Sequence, residues 1–81
     1  MKYRKRPVIV DAVLWDTINE KPDWFHNAMK DGTVTVVKDH VYIKTLEGIL
    51  CADSTDWLIR GIAGEIYPCK HDIFELTYEK I

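Results

Sequence analysis

Residue periodicity predicts an α+β domain: one short helix packed on a bent, mainly antiparallel, half-barrel-like sheet. Three observations predict it. The segment "VIVDAVLW" (Val8–Trp15) is nearly apolar on both alternating faces, the pattern of a strand covered on two sides. A single stretch with helical spacing follows. Beyond Gly32 the apolar period drops to two, interrupted by turn residues.

The elements follow in chain order. Val8–Trp15 is expected to be a central strand, and Pro7 is tolerated at its start because it need not donate to the ladder. After polar Asp16–Lys21, "PDWFHNAMK" (Pro22–Lys30) reads as a helix. Pro22 suits the first helical position and Asp23 the positive end of the dipole. Trp24, Phe25, Ala28 and Met29 share one stripe. Asp31-Gly32 stops the helix, since Gly takes a left-handed cap without steric cost. "TVTVVK" and "VYIKT" flank Asp39-His40, predicting a hairpin with Val36 opposite Ile43 and Val37 opposite Tyr42. Glu47-Gly48 turns the chain into Ile49–Ala52, and "DSTD" (53–56) is a loop. A last hairpin sets Trp57–Arg60 against Glu65–Pro68 through Gly61–Gly64. "CKHDIFE" reads as a short helical turn and "LTYEKI" as a final strand or extended tail.

Bulk composition narrows the function classes. With 81 residues, 47% hydrophobic and 30% charged, the chain is globular and fits one domain over residues 1–81. A chain this short buries only about 60% of its unfolded surface. Assembly into a homo-oligomer would add to that, and three Trp and four Tyr supply interface material. A net charge of −2 argues against binding extended nucleic acid. The local exception is "KYRKR" (Lys2–Arg6), four cations around Tyr3, either a solubilising tail or a phosphate attractor. No apolar run reaches membrane-spanning length, and Asp11 interrupts any signal-type apolar core behind the charged start. A cytoplasmic location with no membrane partner is therefore expected, with Cys51 and Cys69 as thiols.

The densest collection of reactive side chains is "DWLIRGIAGEIYPCKHD" (Asp56–Asp72). Pairing its two strands across the glycine turn sets Ile59 against Ile66, Arg60 against Glu65, Leu58 against Tyr67 and Trp57 against Pro68. Alternation then sorts Trp57, Ile59, Ile66 and Pro68 onto an apolar face. Leu58, Arg60, Glu65, Tyr67 and Cys69 fall on a mixed one. A cross-strand Arg60–Glu65 ion pair would contribute only ~0.2–1 kcal/mol. The functional reading of the same face is a guanidinium beside an aromatic plane, suited to a phosphate next to a ring. Arg60, Tyr67 and Lys70 are the expected ligand contacts, with Trp57 adjoining and Arg6 assisting from the tail.

Other chemistries find less support. Cys69 and His71 share a face on extended backbone, as a thiol and base would, but no orienting third residue is evident beyond Asp72 and Glu75. Cys51, Cys69 and a His lack the close spacing of metal ligands. "GIAG" lacks the Lys and Ser/Thr of a phosphate loop. His26 borders the helix's apolar stripe and His40 sits in a hairpin loop; Trp15 and Trp24 read as core anchors. No catalytic residue, metal or cofactor is assigned, and the chain is read as a binder rather than an enzyme.

Two blocks, "YRKRPVIVDAVLW" and "TLEGILCADSTDWLIRGIAGEIYPCKHDIFELTYE", resemble a family of small, functionally unassigned accessory proteins of tailed phages and prophages, mostly of Gram-positive hosts. Its pattern, D-W-[IL]-I-[RK]-G-x-x-G-E-x-Y-P-C-K-x-D-I-F, is matched here at Asp56, Trp57, Arg60, Gly61, Gly64, Glu65, Tyr67, Pro68, Cys69, Lys70, Asp72 and Phe74. The chain departs from it in carrying Ser54-Thr55 where the family has Pro-Gly, and His71 where it has Pro. The second departure weakens a Cys69–His71 dyad. The resemblance implies a phage protein acting in the host cytoplasm. Two roles are expected: sequestering a small phosphorylated or nucleotide ligand against host defence, or masking a host or phage protein by direct contact.

Overall fold

A computed structural model of the chain describes residues 1–16 and 19–81; the remainder of the turn expected at Asp16–Lys21, positions 17 and 18, lies outside them. The α+β class holds, and every strand pair is antiparallel. The strands form two three-stranded sheets, neither closed into a barrel. One has the order β1 (Asp11–Leu14), β5 (Trp57–Arg60), β6 (Ile66–Cys69). The other runs β2 (Val34–Val37), β3 (His40–Thr45), β4 (Gly48–Ala52). Helix α1 (Asp23–Lys30) precedes β2, and a second helix, α2 (His71–Thr77), follows β6.

The core lies between the two sheets and α1. It contains Trp15, Phe25, Ala28, Val34, Val41, Ile43, Ala52, Leu58 and Ile66. Trp15 anchors it as expected: its ring lies 5.6 Å from that of Phe25, and its indole N–H donates to the Asp39 carbonyl at 2.8 Å. Phe25 and Ala28 of the predicted stripe are buried, Trp24 is half-buried and Met29 is exposed. Pro22 caps α1, and Gly32 ends it at φ +85°.

Three strand expectations are corrected. Val8–Trp15 is not a central strand. Only Asp11–Leu14 pairs, and β1 is an edge; the central strand is β5, whose Leu58 and Ile59 are both fully buried. The cause is length. Continuing the Asp11↔Arg60 register outward sets Val10 and Ile9 opposite Gly61 and Ile62, where the chain has already turned, so Val8–Val10 runs past the end of its partner.

The first hairpin turns at Lys38-Asp39, with Lys38 at φ +56°, so Val36 faces Val41 and Val37 faces His40. This slip of two positions preserves parity; Val34, Val41 and Ile43 are the buried residues of the hairpin.

The last hairpin differs more consequentially. Arg60 pairs with Ile66, Ile59 with Tyr67, Leu58 with Pro68 and Trp57 with Cys69. Gly61 closes the ladder on Glu65 (N–H to O, 2.8 Å), the Gly64 N–H bonds the Gly61 carbonyl at 3.0 Å, and Gly64 sits at φ +84°. This is a three-residue loop with a glycine bulge in place of a four-residue turn. One residue fewer in the loop inverts the second strand.

Candidate functional site

The inverted register separates the residues that the sequence grouped. Arg60 shares the core-side face with Leu58 and Ile66; Tyr67 shares the reverse face with Trp57, Ile59 and Cys69. Arg60 does not pair with Glu65. Its Nη2 donates to Asp11 Oδ2 across the β1–β5 ladder at 2.8 Å, and its guanidinium lies 5.8 Å from the Trp24 ring centroid. Glu65 instead folds over its own turn, accepting the Ala63 N–H at 3.0 Å. The expected Arg60–Tyr67 pocket is therefore absent.

Lys70 is also engaged. Its ammonium donates to Asp56 Oδ2 at 3.1 Å, which pushes the Lys70 pKa up. Asp56 is buried and additionally accepts the Asp53 N–H at 2.9 Å, while its carbonyl accepts the Trp15 N–H at 2.8 Å. Asp56 thus ties the 53–56 loop to both β1 and β6, and Lys70 completes that tie.

The reverse face carries α2. Lys70, with extended backbone, is its N-cap, and His71 is its first helical residue. Phe74 lies flat on Trp57, ring centroids 4.0 Å apart and planes 8° apart; Tyr78 follows at 5.1 Å and 27° from Phe74. The Tyr67 and Tyr78 hydroxyls lie 3.3 Å apart. Burial, then the hydrogen bond to Tyr78, raises the Tyr67 pKa far above that of a free phenol. The Trp57 indole N–H donates to His71 Nδ1 at 3.0 Å, and His71 Nε2 stands 3.5 Å from Glu75. Both imidazole nitrogens therefore face groups other than Cys69. The Cys69 thiol donates weakly to the Lys70 carbonyl, and burial, ahead of Asp56 and Asp72, pushes its pKa up. This is the opposite of an activated nucleophile. No cluster of metal-ligating side chains occurs among the described residues.

Beside this aromatic row runs a groove of about 1070 Å³ between the N-terminal arm and the C-terminal tail. Its floor and walls include Val8, Leu14, Trp57, Phe74 and Tyr78, with Lys5, Arg6 and Lys80 alongside Glu79. Lys5 Nζ stands over the Tyr78 ring at 5.6 Å. Among the described residues, the ion pairs take up Arg60 and Lys70 and include none of Lys5, Arg6 or Lys80. Of the five expected contacts the groove gathers Arg6 and Trp57. Tyr67 lies under its wall, bonded to Tyr78, and Arg60 and Lys70 lie outside its lining.

Lys5, Lys80, Phe74 and Tyr78 were not assigned as contacts from sequence. The available signal was the four-residue spacing of Phe74 and Tyr78, which stacks neighbours on a helix; reading Leu76–Ile81 as a strand or tail hid it.

Comparison with protein-family models, with curated proteins and with solved structures finds no match.

Proposed function

We propose that this chain is a phage-type accessory binding protein that sequesters a small phosphorylated, ring-bearing ligand, such as a nucleotide signal of host defence, in the groove beside Trp57. One observation carries the reading: Lys5, Arg6 and Lys80, which form no ion pair among the described residues, edge a groove that also carries Glu79 and is lined mainly by apolar and stacked aromatic side chains. A ring-bearing anion matches both parts. Its ring would lie against apolar and aromatic surface, and its phosphate would take charge-assisted hydrogen bonds from the rim. The groove, at about 1070 Å³, stands just above the range of small-molecule sites generally, ~300–1000 Å³. The role is stoichiometric rather than catalytic, exercised in the host cytoplasm; no described helix is long and apolar enough to cross a membrane. The test is to incubate purified protein with lysate of cells mounting a nucleotide-signalled defence, denature it, and identify the small molecules released. A phosphorylated, ring-bearing compound in near-stoichiometric amount is expected; an empty protein overturns the reading.

A second reading has its own observation. Among the described residues no strand pairs with the outer edge of β1, and an extended segment of another polypeptide could add to it as a strand. On this reading the chain masks a host or phage protein, and a pull-down from infected cells enriches one dominant partner; no enrichment overturns it.

A further inference from the structure

The first strand reads in sequence as a segment covered on both faces, yet it stands at an edge. Among its residues and the arm before it, Val8, Ile9 and Leu14 are exposed, Ile9 to 76%. Edge strands of monomeric proteins are guarded by shortness, charged side chains, prolines, bulges or a covering segment; β1 itself is short, but the apolar stretch before it extends the edge. From Val8 to Leu14 the one charge is Asp11, already neutralised by Arg60 at 2.8 Å, and the one proline, Pro7, precedes the segment.

We propose that this edge is covered by a second copy of the same chain. The two β1 edges, extended through Val8–Val10, pair antiparallel about a two-fold axis and join the two β1-β5-β6 sheets into one of six strands. A second copy on this edge would occupy the surface that the host- or phage-protein reading needs, so the proposal stands apart from that reading.

Area and charge support that occupant. The chain exposes 6582 Å², whereas a folded monomer of 9.5 kDa is expected to expose about 5000 Å². The excess, roughly 1500 Å², is more than the ~800 Å² that each partner contributes to a standard interface. The charge is also divided. Residues 1–6 hold four cations (Lys2, Arg4, Lys5, Arg6) and no carboxylate, leaving seven cations against thirteen carboxylates, a net −6, in the other 75 residues. Antiparallel pairing carries each positive arm past the strand of the other copy, whose remaining residues have a net negative charge. An isologous contact of this kind closes on itself and leaves no further edge on β1.

Sedimentation equilibrium of the ligand-free protein tests the proposal, with Ile9→Lys placing a charge on the edge and Ile49→Lys as the control. Ile49 is 67% exposed on the other sheet, and neither side chain is part of the core. The expected result is a species of twice the chain mass for wild type and Ile49→Lys, and the chain mass for Ile9→Lys, with unchanged circular dichroism in all three. If Ile9→Lys unfolds, Val8→Lys at the same edge replaces it. A wild-type monomer at every concentration overturns the proposal, as does a dimer that survives the edge charge or is broken equally by Ile49→Lys. Because no ligand or foreign protein is present, failure here is distinct from failure of either reading of function.

Discussion

Phe74 covers Trp57 face to face, with ring centroids 4.0 Å apart and planes within 8°. This contact fixes α2 to the reverse of the β1-β5-β6 sheet and forms one wall of the groove. Phe74→Ala removes the stacked ring as well as its apolar area. The expected loss is about 2–3 kcal/mol, below that of a fully buried ring because Phe74 is only half-buried. Denaturant unfolding measures it. Trp57 emission at a longer wavelength in the folded variant is the accompanying sign that α2 has left the sheet.

The loop before β5 holds a strained residue. Thr55 has φ +78°, a region costly for a β-branched side chain. Gly would meet this conformation without penalty. Thr55→Gly is therefore expected to stabilise the fold by about 1 kcal/mol, read as a higher denaturant midpoint with unchanged slope.

Asp56 is buried with two donors on one carboxylate oxygen, the Asp53 N–H and the Lys70 ammonium. Asp56→Ala leaves both without their acceptor and loosens the loop that also receives the Trp15 N–H. A destabilisation of about 2–3 kcal/mol is expected. Lys70→Ala costs much less, because its side chain is largely exposed. Chemical denaturation of the two variants side by side checks the ranking.

Alkaline pH erodes the same region. Burial raises the Tyr67 pKa above its ordinary value of 10.0, and the Asp56 hydrogen bond raises that of Lys70 above 10.5. In both cases the protonated form is favoured in the folded state. Their contributions are complete below the unfolded values and fade as pH rises from those values through the folded ones. Stability should therefore decline above about pH 10. In a near-ultraviolet titration, one of the four tyrosines should ionise late, and Tyr67→Phe should remove that late phase. A fully synchronous titration of all four would contradict the burial of Tyr67.

The α+β class and α1 with its Pro22 and Gly32 ends were legible because local rules decide them. Apolar period and terminal residues act over a few positions. The site was less legible because it depends on a single residue of loop length. Gly61 and Gly64 announce a turn, but whether three or four residues form it decides which face Tyr67 occupies. The groove was illegible for a different reason. Its two sides come from opposite ends of the chain, around Arg6 and Tyr78, and no local pattern connects them. Of the expected contacts, Arg6 and Trp57 reach it, while Arg60 is taken by Asp11 and Lys70 by Asp56.

The most direct test of the account compares the small molecules released on denaturation from three proteins exposed to the same lysate: wild type, Lys5→Glu/Arg6→Glu/Lys80→Glu, and Arg60→Gln. The groove account predicts one phosphorylated, ring-bearing compound from wild type and from Arg60→Gln, and at least tenfold less from the charge-reversed protein. Equal recovery from the charge-reversed protein, or loss confined to Arg60→Gln, would contradict it.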